Sequence, residues 1–275
     1  MKSWNTKERI TGLFNRVAPK YDHVGPRFFS HFGRRLVELA QMPSGARVLD
    51  VACGRGAVLF PAAEQVGPKG QVIGIDLSET MVEETRRVID RLGLKNAQVR
   101  QMDAEELDFR DGSFDFVLCG LSLFFFPRVE QALSEFYRVL KPQGIIAAST
   151  LGEDDDERWN WWDELVEAYK PELKPGSPLF ARALDTSTEL RQVLSHAGFI
   201  GVQTVSEEQE FFYRDEDEWW SSLWSRGRRA LLERMEPSVL QRFKADAFDV
   251  ITLLKDSGGL PIFLQVLFAT GTKPQ

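Results

Sequence analysis

The segment VLDVACGRGAVLFPAAEQV, residues 48–66, decides how the rest of this 275-residue chain is read. A short apolar run delivers Asp50 into a turn built on Gly54-Arg55-Gly56, and a helix-like stretch follows. Glycines at such a turn allow tight backbone conformations and let a ligand lie against the main chain. Several classes of nucleotide enzyme use a glycine turn of this kind. The third glycine of the dinucleotide fingerprint is missing, because Leu59 stands in its place. Asp50 adds an argument from charge. A carboxylate aimed at the turn repels a pyrophosphate but suits a ligand carrying a sulfonium and an α-ammonium group. A simpler role for Asp50, capping the turn, stays open.

Working outward, QVIGID (71–76) ends on Asp76, 20 residues after Gly56. A carboxylate at the end of a second strand can accept both hydroxyls of an adenosine ribose. The next apolar run, NAQVRQMD (96–103), ends in Met102-Asp103-Ala104. There Asp103 can accept from an adenine amino group with Met102 against the ring. Two more runs follow, FDFVLC (114–119) and GIIAAST (144–150), then strands over about 201–213 and 261–270. Helical patterns lie between them. One opens at Ser78, shows Met81, Val82, Val88, Ile89 and Leu92 on one face, and stops at Gly93. Others cover about 129–140 and 186–197. Strand–helix alternation predicts an α/β fold with a largely parallel sheet covered on both faces. Ligands of such sheets bind at the carboxyl ends of the strands.

The bulk numbers narrow the class. A net charge of −7 is the wrong sign for a duplex nucleic-acid binder, and no nucleic-acid partner is expected. No window approaches a membrane span and the N-terminus lacks a signal-type apolar stretch, so a cytoplasmic protein without stable membrane insertion is expected. Cys53 and Cys119 sit in apolar segments and read as small buried residues. The acidic run Glu153–Glu157 reads as a solvated turn, and no metal site is expected. A homodimer is compatible with all of this.

The series VLDVACGRG, GIDLS, QMDAEEL, FDFVLCGLSLFFF and RVLKPQGIIAAST resembles the motif series of class I S-adenosylmethionine (AdoMet)-dependent methyltransferases. The upstream FNRVAPKYD, residues 14–22, resembles the N-terminal signature of the ubiquinone/menaquinone C-methyltransferase group and of related small-molecule, natural-product methyltransferases. The resemblance implies a Rossmann-like seven-stranded methyltransferase sheet, order 3-2-1-4-5-7-6, with an antiparallel seventh strand. It implies S-adenosyl-L-methionine as the methyl source. By the same resemblance Tyr21 contacts its methionyl part, with a core tyrosine as the plain counterpart. Gly54 and Gly56, with Ala52 beside them, pass the ligand along the backbone. Asp76 holds the ribose with Leu77 and Met81 nearby, Asp103 and Ala104 lie at the adenine, and Cys119 and Gly120 line the sulfonium side.

The N-terminal residues 1–46 are expected to form a helical segment closing over the site, with the methyltransferase domain over 47–275. Two segments, about 153–182 and 214–258, hold six tryptophans and read either as an aromatic-rich helical lid or as a second helical layer. Phe124-Phe125-Phe126 after the fourth strand, together with Phe28, Phe29 and Phe32, suits a small, largely apolar, ring-containing acceptor. A prenylated quinone precursor, methylated on carbon, is the alternative. His23 and His31 in the closing segment are the candidate bases, each with a surface or packing role as its plain counterpart.

Overall fold

Leu49 and Val48 explain the sheet in miniature. On β1 (Arg47–Val51) consecutive side chains face opposite ways, and both are fully buried. The same alternation runs through β2 (Gln71–Asp76) and β4 (Phe114–Gly120). Val48, Val72 and Leu118 enter one core with α2 (Phe28–Ala40), α3 (Leu59–Val66) and α4 (Glu79–Leu92). Leu49, Ile73 and Val117 enter the other, with α5 (Val129–Val139) and α7 (Ser187–His196). Strands buried on both faces require helices on both faces, and each such side chain contributes roughly 1.5–3 kcal/mol of burial.

The structure, a computed structural model, describes residues 2–153, 156–174 and 184–275, with side chains from Thr6 onward. With β3 (Ala97–Gln101), β5 (Leu140–Leu151), β6 (Ile200–Tyr213) and β7 (Leu260–Thr272), the sheet runs β3-β2-β1-β4-β5-β7-β6. β1 to β5 are parallel, and β7 is antiparallel to β5 and β6. This is the expected sheet.

Local chemistry sets the helix ends. The Ser78 hydroxyl accepts from the Met81 amide at 3.1 Å, and Gly93 closes α4 with φ of 64°. The Thr186 hydroxyl likewise accepts from the Glu189 amide at 3.2 Å at the start of α7. β5 is longer than the sequence indicates. Its first residues join β7's end, where the Gln143 amide donates to the Lys273 carbonyl at 2.9 Å and Lys273 Nζ donates to the Tyr137 and Leu140 carbonyls at 2.8 Å. Those partners lie far apart in the chain and leave no local signal.

The tryptophans form a core of their own. α6 (Asn160–Tyr169), α8 (Glu216–Trp224), α9 (Arg229–Leu232) and α10 (Pro237–Ile251) pack around Trp162, Trp219, Trp220 and Phe243, with Tyr213 and Leu260 supplied by the ends of β6 and β7. Trp159, Trp161 and Trp162 all lie within 6.1 Å of Trp219, ring centre to ring centre. The two tryptophan-bearing segments therefore meet as one layer. Asp154, Asp155 and residues 175–183 lie outside the described residues, and with them parts of the acidic run and of the first expected lid segment.

Candidate active site

A cavity of about 400 Å³ opens at the carboxyl ends of β1, β2, β3 and β4. Its floor is the Gly54–Gly56 turn. Asp76 organises that turn: its Oδ2 accepts from the Gly54 amide and its Oδ1 from the Ser78 amide, both at 2.8 Å. Thr85 Oγ1 donates to the Gly54 carbonyl at 2.7 Å. Burial pushes the Asp76 carboxyl up to about 6 despite these donors. Asp50 sits deeper, 1% exposed, with neither carboxylate oxygen hydrogen-bonded. Burial, and next the charge of Asp76, hold its carboxyl well above the usual range. Two buried carboxylates beside a glycine turn, one of them without a hydrogen-bond partner, are a poor cradle for a pyrophosphate. They fit a ligand that brings cationic and hydroxyl groups.

Strand-end geometry brings most candidate positions together. Asp50, Ala52, Gly54 and Gly56 line the cavity from β1 and its turn, and Asp76, Leu77 and Met81 line it from β2 and α4. Met102, Asp103 and Ala104 line it after β3, Gly120 at the end of β4, and Tyr21 and His23 from the segment after α1. Two candidates lie elsewhere. The Cys119 side chain is fully buried in the core beneath α5, its Sγ 3.0 Å from Ser122 Oγ, and burial pushes its thiol up to about 12. His31 is exposed and packs edge-on against Phe32 and Phe211. The aromatics also divide: Phe29, Phe125 and Phe126 line the cavity, whereas Phe28, Phe32 and Phe124 are buried in packing. None of the tryptophans among the described residues lines it.

Sequence reasoning expected an N-terminal helical segment over the site but missed the ion pairs that hold it. α1 (Lys2–Val17) packs against α4, and Lys7 Nζ pairs with Asp103 at 2.6 Å and Glu105 at 2.5 Å, just after β3. Glu105 is 1% exposed at its side chain and also takes Arg128 Nε at 2.9 Å. Phe14, one face of α1 further on, meets Phe125 and Tyr21 edge-on. Tyr21 stacks on Phe29 at 4.9 Å, and burial raises its phenol, which stays protonated. A lysine near an N-terminus gives no spacing signal for a carboxylate 96 residues away. Because Lys7 is mostly buried, Lys7→Ala should cost about 1–3 kcal/mol of stability. Hydrogen exchange should also rise along α1 but not along β1. Urea melts and exchange mass spectrometry read both effects, and unchanged α1 protection would show that the helix is held without Lys7.

Backbone strain is concentrated here too. Asp22, Ala52 and Leu121 have φ of 56°, 52° and 50°, and all three line the cavity. Non-glycine residues rarely adopt this region, and when held there they cluster at functional sites.

Comparison with known proteins agrees with this geometry. A family model described as a methyltransferase domain matches residues 43–210. The chain is 32% identical to nocamycin O-methyltransferase of Saccharothrix syringae over 94% of this chain and 96% of that one. It is 32% identical to demethylmenaquinone methyltransferase of Listeria welshimeri over 73% of this chain and 91% of that one. Among solved structures, the YcgJ protein of Bacillus shares the fold with a TM-score of 0.61 and 23% identity, covering 89% of this chain and 99% of that one. The chain therefore belongs to the methyltransferase family, as a class I S-adenosylmethionine-dependent enzyme acting on small molecules.

Proposed function

We propose that this methyltransferase acts on a small, largely apolar, ring-containing acceptor, with AdoMet held along the strand ends. The observation that carries the cofactor assignment is the convergence of Asp50, Asp76 and Asp103 on one cavity, with Asp50 unpartnered. Asp76 would hold the ribose, Asp103 and Met102 the adenine, and Asp50 the cationic methionyl end. When bound, AdoMet supplies a methyl group on a sulfonium, open to displacement by an acceptor lone pair. What the chain itself contributes is position and dryness. Phe14, Tyr21, Phe29, Phe125 and Phe126 wall the space and exclude water, and α1 with the 18–34 segment covers it.

His23 lines the cavity, and burial first, then the charges of Arg55 and Arg27, lower its imidazole. It is therefore neutral near pH 7 and able to take a proton from an acceptor hydroxyl. His31, outside the lining, is not assigned that role. Residues 1–46 act as the closing segment in this reading, and the tryptophan layer supports it from the side: Arg226 donates to the Val24 carbonyl at 3.3 Å and to Tyr213 OH at 3.1 Å.

Ring acceptors of equal chemistry and increasing tail length test the acceptor class, with S-adenosylhomocysteine formation as the readout. Turnover that falls or stays level with tail length is expected. A rate that climbs with tail length would assign a prenylated quinone precursor instead.

A pH dependence follows from Asp76. Its carboxyl must be ionised to accept two ribose hydroxyls, and in the free cavity it titrates near 6. Affinity for S-adenosylhomocysteine should therefore rise with pH through about 6 and be roughly tenfold lower at about pH 5 than on the plateau. Stability of the ligand-free protein runs the other way. The folded value lies above the ordinary 3.8, so the folded chain binds more protons across that window. The contribution of Asp76 is then present at low pH and lost as pH rises through about 6. Titration calorimetry across this range checks the binding arm, and a flat affinity would remove Asp76 from the ribose.

A further inference from the structure

The cavity mouth carries more positive charge than an apolar acceptor calls for. Lys7 is committed to Asp103 and Glu105, and Arg55 to the Ala18 carbonyl and Glu84. Arg27 lines the same cavity, is exposed, and has no hydrogen-bonded or ion-paired side-chain partner among the described residues. The acid nearest in sequence, Asp22, uses its Oδ2 on Ser30 Oγ at 2.6 Å and makes no ion pair with it. Arg27 is also the N-cap of α2, which has no side-chain cap, so the positive end of a 13-residue helix adds to the guanidinium. Phe29, two residues on, presents its ring to the cavity while stacked on Tyr21. Arg34 lines the wall nearby and reaches Glu64 only at 3.5 Å, with both side chains exposed.

We propose that Arg27 is a specificity residue that receives a carboxylate carried by the ring acceptor, so that the preferred substrate is an aromatic acid rather than a neutral ring. This rests on the ring-acceptor reading above. A planar guanidinium beside an aromatic wall matches a ring-borne carboxylate: the fork takes both oxygens while the ring lies against Phe29. The acceptor is favoured over the cofactor as the source of the carboxylate. The inner cavity, where Asp50, Asp76 and Asp103 lie, is acidic, whereas Arg27 stands exposed at the rim.

The test uses the full chain saturated with S-adenosylhomocysteine, titrated by calorimetry with anthraquinone-2-carboxylate and with anthraquinone-2-carboxamide. Wild type should bind the acid at least about tenfold more tightly than the amide, with a preference that shrinks at high salt. Arg27→Gln should abolish the preference by weakening the acid alone, and Arg27→Lys should restore part of it. Arg27 is exposed, so a cooperative melt should survive both changes. Equal affinity of wild type for acid and amide would overturn the proposal, as would a preference that survives in Arg27→Gln. A variant that loses S-adenosylhomocysteine instead of the acid would place Arg27 on the methionyl carboxylate and overturn it as well. If wild type binds S-adenosylhomocysteine but neither probe, the ring-acceptor reading itself fails, and the proposal falls with it.

Discussion

Asp76→Ala should lower affinity for AdoMet at least about tenfold while the protein still melts cooperatively. The carboxylate already accepts the Gly54 and Ser78 amides through separate oxygens, so each oxygen keeps one lone pair for a ribose hydroxyl. Losing a charge-assisted hydrogen bond costs roughly 1.5–3 kcal/mol, and the variant loses two. The effect on stability is a balance. Two amides are left unpaired, at about 1–3 kcal/mol each. Against this, a carboxyl held near 6 instead of 3.8 no longer has to be kept ionised at neutral pH, worth about 3 kcal/mol. The two nearly offset, so the loss is expected in binding rather than in the melt. Calorimetric titration of the folded variant decides it, and wild-type affinity would remove Asp76 from the cofactor site.

Gly54→Val should abolish binding by a different route. Gly54 has φ of 49°, and a Cβ built there meets no protein atom within 4 Å. The side chain would project into the space the ligand uses. The left-handed conformation adds a strain of about 1–2 kcal/mol, which a domain of this size tolerates. Gly56 behaves differently, because a Cβ there would lie 2.4 Å from the Phe60 ring. Gly56→Ala should therefore lose melting temperature as well as binding, whereas Gly54→Val should lose mainly binding. Melts alongside titrations separate the two glycines. Retained affinity in Gly54→Val would mean that the ligand does not cross this turn.

What could be read from the sequence was local. The Ser78 cap, the Gly93 stop and the acids ending β1 and β2 all lie within a few residues of the elements they control, and strand alternation follows from period-two burial. Long-range partners could not be read in this way. Lys7 on Asp103, Arg27 at the mouth and Arg226 on the 24–28 loop depend on how α1 and the helical layer fold over the sheet. Ala52 and Leu121 adopt a conformation for which their residue types give no hint. The tryptophans show the same limit: their clustering was visible, but composition does not say whether an aromatic faces a cavity or another aromatic. His31 was placed at the site by its neighbours in the chain and Cys119 by the family resemblance, and packing turns both side chains away.

AdoMet carrying a CD3 methyl, incubated with the protein and a panel of hydroxylated aromatic acids and amides, puts the whole reading at risk in one assay. Mass spectrometry should find the CD3 group on the acceptor and an equal amount of S-adenosylhomocysteine, with transfer lost in Asp76→Ala and Gly54→Val. Binding of S-adenosylhomocysteine without label transfer to any member of the panel would contradict the proposed acceptor. Label transfer that survives in both variants would contradict the proposed site.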